Sequence, residues 1–133
     1  MPNDVAVVLA SNAALNRRDV DGMLAVYAPD AEVVDRRRVG FGSFAGRDEL
    51  HGLYSGIVSS AASFHEDVHV RATGNGLVVA HCEVRAKLAS DPNGPDVGAE
   101  YGFVVTVRDG LIARLELFDN GDDALAASGL TAG

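Results

Sequence analysis

The first sixty residues carry their apolar positions at helical spacing, and most of the remainder alternates with a period of two. From Asp4 to Asn16, Val5, Val8, Leu9, Asn12 and Leu15 recur near the 3.6-residue period, with Asn3 or Asp4 placed to cap the start. Asp19 caps a second segment, Val20 to Ala28, in which Met23, Leu24 and Tyr27 share one face until Pro29-Asp30 ends it. Ala31 to Asp35 reads as a strand, Gly40 to Gly46 as a glycine-punctuated loop, and Arg47 to Ser60 as a third helix with Leu50, Leu53, Tyr54 and Ile57 on one side.

Beyond that point Phe64 to Ala72, Leu77 to Leu88, Glu100 to Arg108 and Leu111 to Asp119 alternate or run β-branched, as strands do. Thr73 to Gly76 ("TGNG") and Arg108 to Leu111 ("RDGL") are turns, the second with the Asp-Gly that a two-residue type I′ hairpin favours. Helices followed by antiparallel strands predict an α+β domain whose helices cover one face of a curved sheet. The 133 residues suit a single domain spanning 1–133.

The alternation also assigns faces. In the strand Leu77 to Leu88, the set from Val78 through Cys82 to Leu88 faces the core, and His81, Glu83, Arg85 and Lys87 face out. Several inward residues are small, which fits either a hollow interior or one filled by bulky helix side chains. A two-residue turn at Asp109-Gly110 would set Val105 opposite Arg114, Phe103 opposite Glu116 and Tyr101 opposite Phe118, mixing aromatic and charged groups on one face. Val104, Thr106, Ala113, Leu115 and Leu117 make the other face apolar as well. One face is therefore expected to meet the helices, and the other a second copy of the chain.

Composition narrows the partners. A net charge of −8, with Arg36–Arg38 as the one basic cluster, argues against nucleic acid and anionic membrane surfaces. No run approaches the length of a membrane span. The N-terminal run has its acid before and its arginines after the apolar residues, the reverse of a secretory signal, and the lone Cys82 suits a reducing cytoplasm. The four histidines lack metal-ligand spacing, and the 40–46 loop lacks the glycine spacing of a nucleotide fingerprint, so neither metal nor cofactor is expected.

The segments "LNRRDVDGMLAVYAPDAEVVD", "FAGRDELHGLY" and "RDGLIARLELFD" together resemble the SnoaL-like members of the NTF2-like superfamily, which includes ketosteroid isomerases and polyketide cyclases. The resemblance implies a cone-shaped, strongly curved, mainly antiparallel sheet with three N-terminal helices packed on it, a pocket at the wide end, and a homodimer through the outer sheet face. It places the general base of ketosteroid isomerases on Asp35. A carboxylate at the mouth of an apolar pocket has the chemistry for that role. The family's oxyanion-hole tyrosine falls on Ser11 and its second acid falls near Phe103, so the usual oxyanion hole is absent. Comparison with limonene epoxide hydrolases places an acid on Glu116, while the Asp and Arg those enzymes use fall near Cys82 and Val84.

These readings select Asp35, Glu116 and Arg114 as catalytic candidates, and Tyr27, Tyr54, Cys82, Tyr101, Phe103 and Phe118 as pocket candidates. One of Arg36, Arg37 or Arg38 could turn toward Asp35 and lower its pKa, which would weaken it as a base. The expected function is a cofactor-independent acid/base enzyme of isomerase, cyclase or lyase type on a small hydrophobic carbonyl or polyketide-like compound. The alternative is a non-catalytic dimeric module that binds a small hydrophobic ligand.

Overall fold

A computed structural model describes residues 3–132. Helix α1 (Asp4–Asn16) starts where the Asn3 side chain accepts from the Ala6 N–H, and α2 (Val20–Leu24) where Asp19 accepts from Gly22. Strands β1 (Tyr27–Asp35) and β2 (Ser43–Ala45) precede α3 (Arg47–Ser59). Then come β3 (Ala61–Gly74), β4 (Leu77–Leu88), β5 (Val97–Arg108), β6 (Leu111–Phe118) and α4 (Gly121–Ser128).

The six strands form one sheet in the order β2-β1-β6-β5-β4-β3, antiparallel except for the β1–β6 pair. This is the expected α+β architecture, with the N-terminal helices on one face of a curved sheet. Both predicted turns carry two residues with positive φ, Asn75-Gly76 and Asp109-Gly110, as type I′ geometry demands. Arg18, itself in the left-handed region, donates to the carbonyls of Val58, Ala61 and Ala62 and so ties the α1–α2 turn to the end of α3.

Four expectations need correction. The second helix is only five residues long, and Tyr27 opens β1 instead of closing α2. Part of the 40–46 loop forms β2, whose residues Ser43–Ala45 pair with Glu32–Val34. The β5–β6 register holds at Val107 opposite Ile112 but then shifts, so that Arg114 faces Thr106, Glu116 faces Val104 and Phe118 faces Gly102. Ala113 is the extra residue of this bulge. Because side chains alternate, one extra residue turns everything beyond it to the other face. Leu115 and Leu117 thereby enter the main core beside Phe103 and Val105, while Arg114 and Glu116 are spared the cost of losing water there.

The fourth correction concerns the outer face. Helix α4 packs across β4 and β5, and Ala124 is fully buried among Val79, Val104 and Ala72, with Phe118, Leu125 and Leu130 alongside. Much of the apolar outer surface expected to need a second copy is thus covered by the chain's own C-terminal helix. Ala124→Asp would place a charge in that dry contact and should destabilise the protein by about 2–4 kcal/mol, measured by denaturant unfolding. An unfolding midpoint equal to that of the parent would show that α4 is not packed as described.

Candidate active site

Inside the cone the helices and sheet leave two adjoining chambers, an outer one of about 200 Å³ and an inner one of about 50 Å³. Leu15, Tyr54, Glu66, Tyr101 and Leu115 line both, so these five side chains stand where the two chambers of the hollow meet. Arg37, Phe41 and Phe64 frame the outer chamber. Ser11, Asn12 and Tyr27 close the inner one.

Glu66 is the acid of this hollow. On β3 it alternates with Phe64 and Val68, which also turn toward the core, and it is 5% exposed. β3 is an edge strand, so one side of its backbone has no neighbouring strand at Glu66. Asn16 satisfies that side, its Oδ1 accepting from the Glu66 N–H at 2.8 Å and its Nδ2 donating to the Glu66 carbonyl at 3.0 Å. The Tyr101 hydroxyl, one strand beyond β4, donates to the carboxylate. Burial pushes the Glu66 pKa up to about 7. The Tyr101 donor favours the ionised form and so works against that rise.

Asp35 ends β1 on the inner face, as expected, but its carboxylate is closed off. Arg37 binds it through Nε at 2.9 Å and Nη2 at 2.7 Å, and the backbone N–H groups of Arg37 and Phe41 donate at 3.1 and 2.9 Å. The side chain has no exposed surface. Desolvation is the largest single influence and raises its pKa, yet the Arg37 ion pair and the two backbone donors together hold it below the ordinary carboxylate value. A carboxylate so fully partnered is a poor base. Of the three arginines, Arg37 is the one that turns in. Its guanidinium also lies 5.0 Å from the Phe41 ring centroid and 5.8 Å from that of Tyr101, and it occupies the chamber wall in place of Asp35.

Arg114 and Glu116 are not in the hollow. On the outer face Arg114 pairs with Glu32 at 3.2 Å, and Glu116 accepts from Arg36 at 2.7 Å. Phe118 lies outside too, beneath α4. Cys82 faces the core and is fully buried, but lines neither chamber, and burial raises its thiol pKa. Four pocket candidates do line the hollow: Tyr27, Tyr54, Tyr101 and Phe103. The Tyr27 and Tyr54 rings are 6.4 Å apart, and both phenols have raised pKa values because they are buried. The neighbouring Tyr54 and Ser11 hydroxyls restrain the rise at Tyr27.

One histidine cluster merits a metal test. His81, Glu83 and Glu100 on the outer face bring their ligand atoms within 4.8 Å of one another. The Gly121 N–H donates to His81 Nδ1 at 3.0 Å, so the neutral ring keeps its proton on Nε2, the nitrogen 3.9 Å from Glu100. Neither nitrogen then offers a free lone pair to an ion.

The strand that supplies Glu66 did carry a signal. In "FHEDVHV" the acid stands between Phe64 and Val68 at period two, an acid on an apolar face. The hydrogen bond from Tyr101, across β4, has no local signature.

A curved α+β cone with a mostly apolar hollow and one buried acid is the class of small pocket domain that these features define. The chain belongs to the SnoaL-like domain family, whose model matches residues 8–115. Among solved structures it is similar to a provisionally assigned polyketide cyclase from Xanthomonas campestris pv. campestris, with 27% identity, coverage of 92% of this chain and 94% of that one, and a TM-score of 0.72. An NTF2-like protein of unknown function from Burkholderia pseudomallei matches at 20% identity over 98% of this chain and all of the other, TM-score 0.74. An epoxide hydrolase of the LEH-like type from M. tuberculosis matches at 19% identity over 92% and 86%, TM-score 0.71. No curated protein matches the chain.

Because the folded Glu66 pKa lies above the ordinary value of 4.5, the folded state holds that proton more tightly than the unfolded chain. This favours folding below about pH 4.5 and is lost as pH rises through about 7, a change on the order of 3 kcal/mol. Glu66→Gln should therefore gain stability relative to the parent as pH rises from 5 to 8, read by urea unfolding at both values. A difference between the two proteins that does not change with pH would contradict the burial argument. Gly40 lies against the Asp35 carboxylate, where an added Cβ would come within 2.5 Å of Asp35 Cγ. With that carboxylate held by four hydrogen bonds, Gly40→Ala should cost about 1–3 kcal/mol in the same measurement, and a neutral result would mean that the loop is free to move.

Proposed function

We propose that this SnoaL-like protein is a cofactor-independent proton-transfer enzyme acting on a small hydrophobic carbonyl or polyketide-type compound, with Glu66 as its acid/base group. The observation that carries the reading is a buried carboxyl, with a pKa near working pH, facing an apolar hollow. In its ionised form Glu66 would take a proton from carbon next to the substrate carbonyl and return it at another position. The enolate formed needs a positive or hydrogen-bonding partner. Arg37 lines the same outer chamber and spends only Nε and Nη2 on Asp35, which leaves Nη1 for that role. Asp35 then acts as the residue that positions Arg37.

The likeness to a provisionally assigned polyketide cyclase supports the substrate class, and the mostly apolar chamber walls support its hydrophobicity. A homodimer through what α4 leaves of the outer face, with the active site complete in each copy, belongs to the same proposal. So does a cytoplasmic setting; among the described residues no helix is long and apolar enough to cross a membrane.

The test is deuterium uptake from D2O at the α-carbons of a panel of small hydrophobic ketones, followed by mass spectrometry. The rate should rise with pH through about 7 as Glu66 ionises. Glu66→Gln should lower it by about 100-fold or more and remove that pH limb, whereas Asp35→Asn should lower the rate but keep the limb. Loss of the limb in Asp35→Asn alone would return the base to Asp35. No uptake by the parent, with every ketone recovered unchanged, would favour a non-catalytic binding module.

A further inference from the structure

The inner chamber contains a mismatch of hydrogen-bonding groups that the proton transfer does not use. The Asn12 Oδ1 atom is buried and has no hydrogen-bond partner among the described residues. It projects from α1 one turn before Asn16, which clamps the Glu66 backbone, and it lines the inner chamber together with Tyr27. A phenol has one proton to donate and two lone pairs. The Ser11 and Tyr54 hydroxyls hold down the Tyr27 pKa, as neighbours that hydrogen-bond to its oxygen do, and a phenol used as an acceptor keeps its own proton to give. The chamber thus presents one unmet acceptor and one unspent donor.

A carbonyl oxygen could answer Tyr27 but not Asn12, and an ammonium Asn12 but not Tyr27. An O–H group answers both, because it accepts and donates through one atom. The size agrees, since about 50 Å³ admits a water molecule or a hydroxyl-bearing end but no ring.

We propose that the inner chamber is a subsite for an O–H oxygen that donates to Asn12 Oδ1 and accepts from the Tyr27 hydroxyl, supplied by a hydroxyl of the substrate or by a bound water. This deepens the proposed function and rests on it for the identity of the site: the substrate body occupies the outer chamber between Arg37 and Phe64, and its hydroxyl or the water lies beyond Glu66. Leaving either group dry and unmatched would cost more than a lost contact at the surface, which makes the subsite selective.

The experiment uses binding of unreactive probes, so it can fail while the Glu66 pH limb survives, and the reverse. Cyclohexylmethanol and its methyl ether differ in the proton on oxygen. Their dissociation constants are measured by NMR chemical-shift titration on the parent protein and Asn12→Leu, with Tyr27→Phe as a second variant that removes a single oxygen. The crystal structure of the unliganded protein supplies the second arm. Binding of the alcohol at least about tenfold tighter than the ether, with the preference lost in either variant, assigns the subsite to a substrate hydroxyl. No preference for the alcohol, together with a water oxygen within about 3.2 Å of both Asn12 Oδ1 and the Tyr27 oxygen, assigns it to water. No preference and no such water overturns the proposal, as does a preference that both variants retain.

Discussion

Removing water from the Glu66 carboxyl is the constraint around which the hollow is organised. A charge placed there has lost its hydration, and the protein returns only part of it through the Tyr101 hydroxyl. The proton is therefore held up to about neutral pH. Everything close to Glu66 serves that placement. Asn16 fixes the backbone of an edge strand that would otherwise leave its polar groups unmatched, and Phe64 and Val68 turn in beside the acid on the same strand face. The bulge at Ala113 sends Leu115 and Leu117 inward, which keeps the two charged side chains of β6 from competing with Glu66 inside the cone.

The two acids near the hollow illustrate how environment divides roles. Asp35 and Glu66 both start as ordinary carboxyls, and both are shielded from water. Asp35 receives a guanidinium and two backbone N–H groups, so its charge is compensated and its proton affinity falls. Among the described residues Glu66 receives one hydroxyl and no cation, so its proton affinity rises. An ion pair locks the first into the loop that carries Arg37 to the chamber wall, and the shortage of partners leaves the second able to exchange a proton near neutrality.

Much of the architecture was legible because it rests on short-range pattern. The capping residues Asn3 and Asp19, the period-two faces of β4 and the paired positive-φ residues of both hairpin turns are local properties of the chain. The SnoaL-like identity rested on motifs spread along the chain, and the family match over residues 8–115 agrees. The errors came where a long-range contact overruled a local rule. Tyr27 has helical spacing with Met23 and Leu24, but pairing with Ile112 on β6 draws it into a strand. A bulge has no fixed composition, so simple alternation puts Arg114 and Glu116 on the inner face and the register shift puts them on the outer one. Helix α4 is short and polar at its start, and its purpose shows only when Val79 and Val104 need a cover. The strand pattern ends β1 at Asp35, but its bidentate partner two residues on is one of three equivalent arginines in the sequence.

The proposed proton transfer depends on the proton affinity of one group. Carbon-detected NMR of the Glu66 side-chain carboxyl across pH 3 to 9, assigned by comparison with Glu66→Gln, measures it without any substrate. The expected midpoint lies near 7, well above the ordinary value of 4.5. A midpoint at or below 4.5 would mean that Tyr101 and solvent stabilise the charge fully, and Glu66 would then be no better suited to proton transfer than a surface acid.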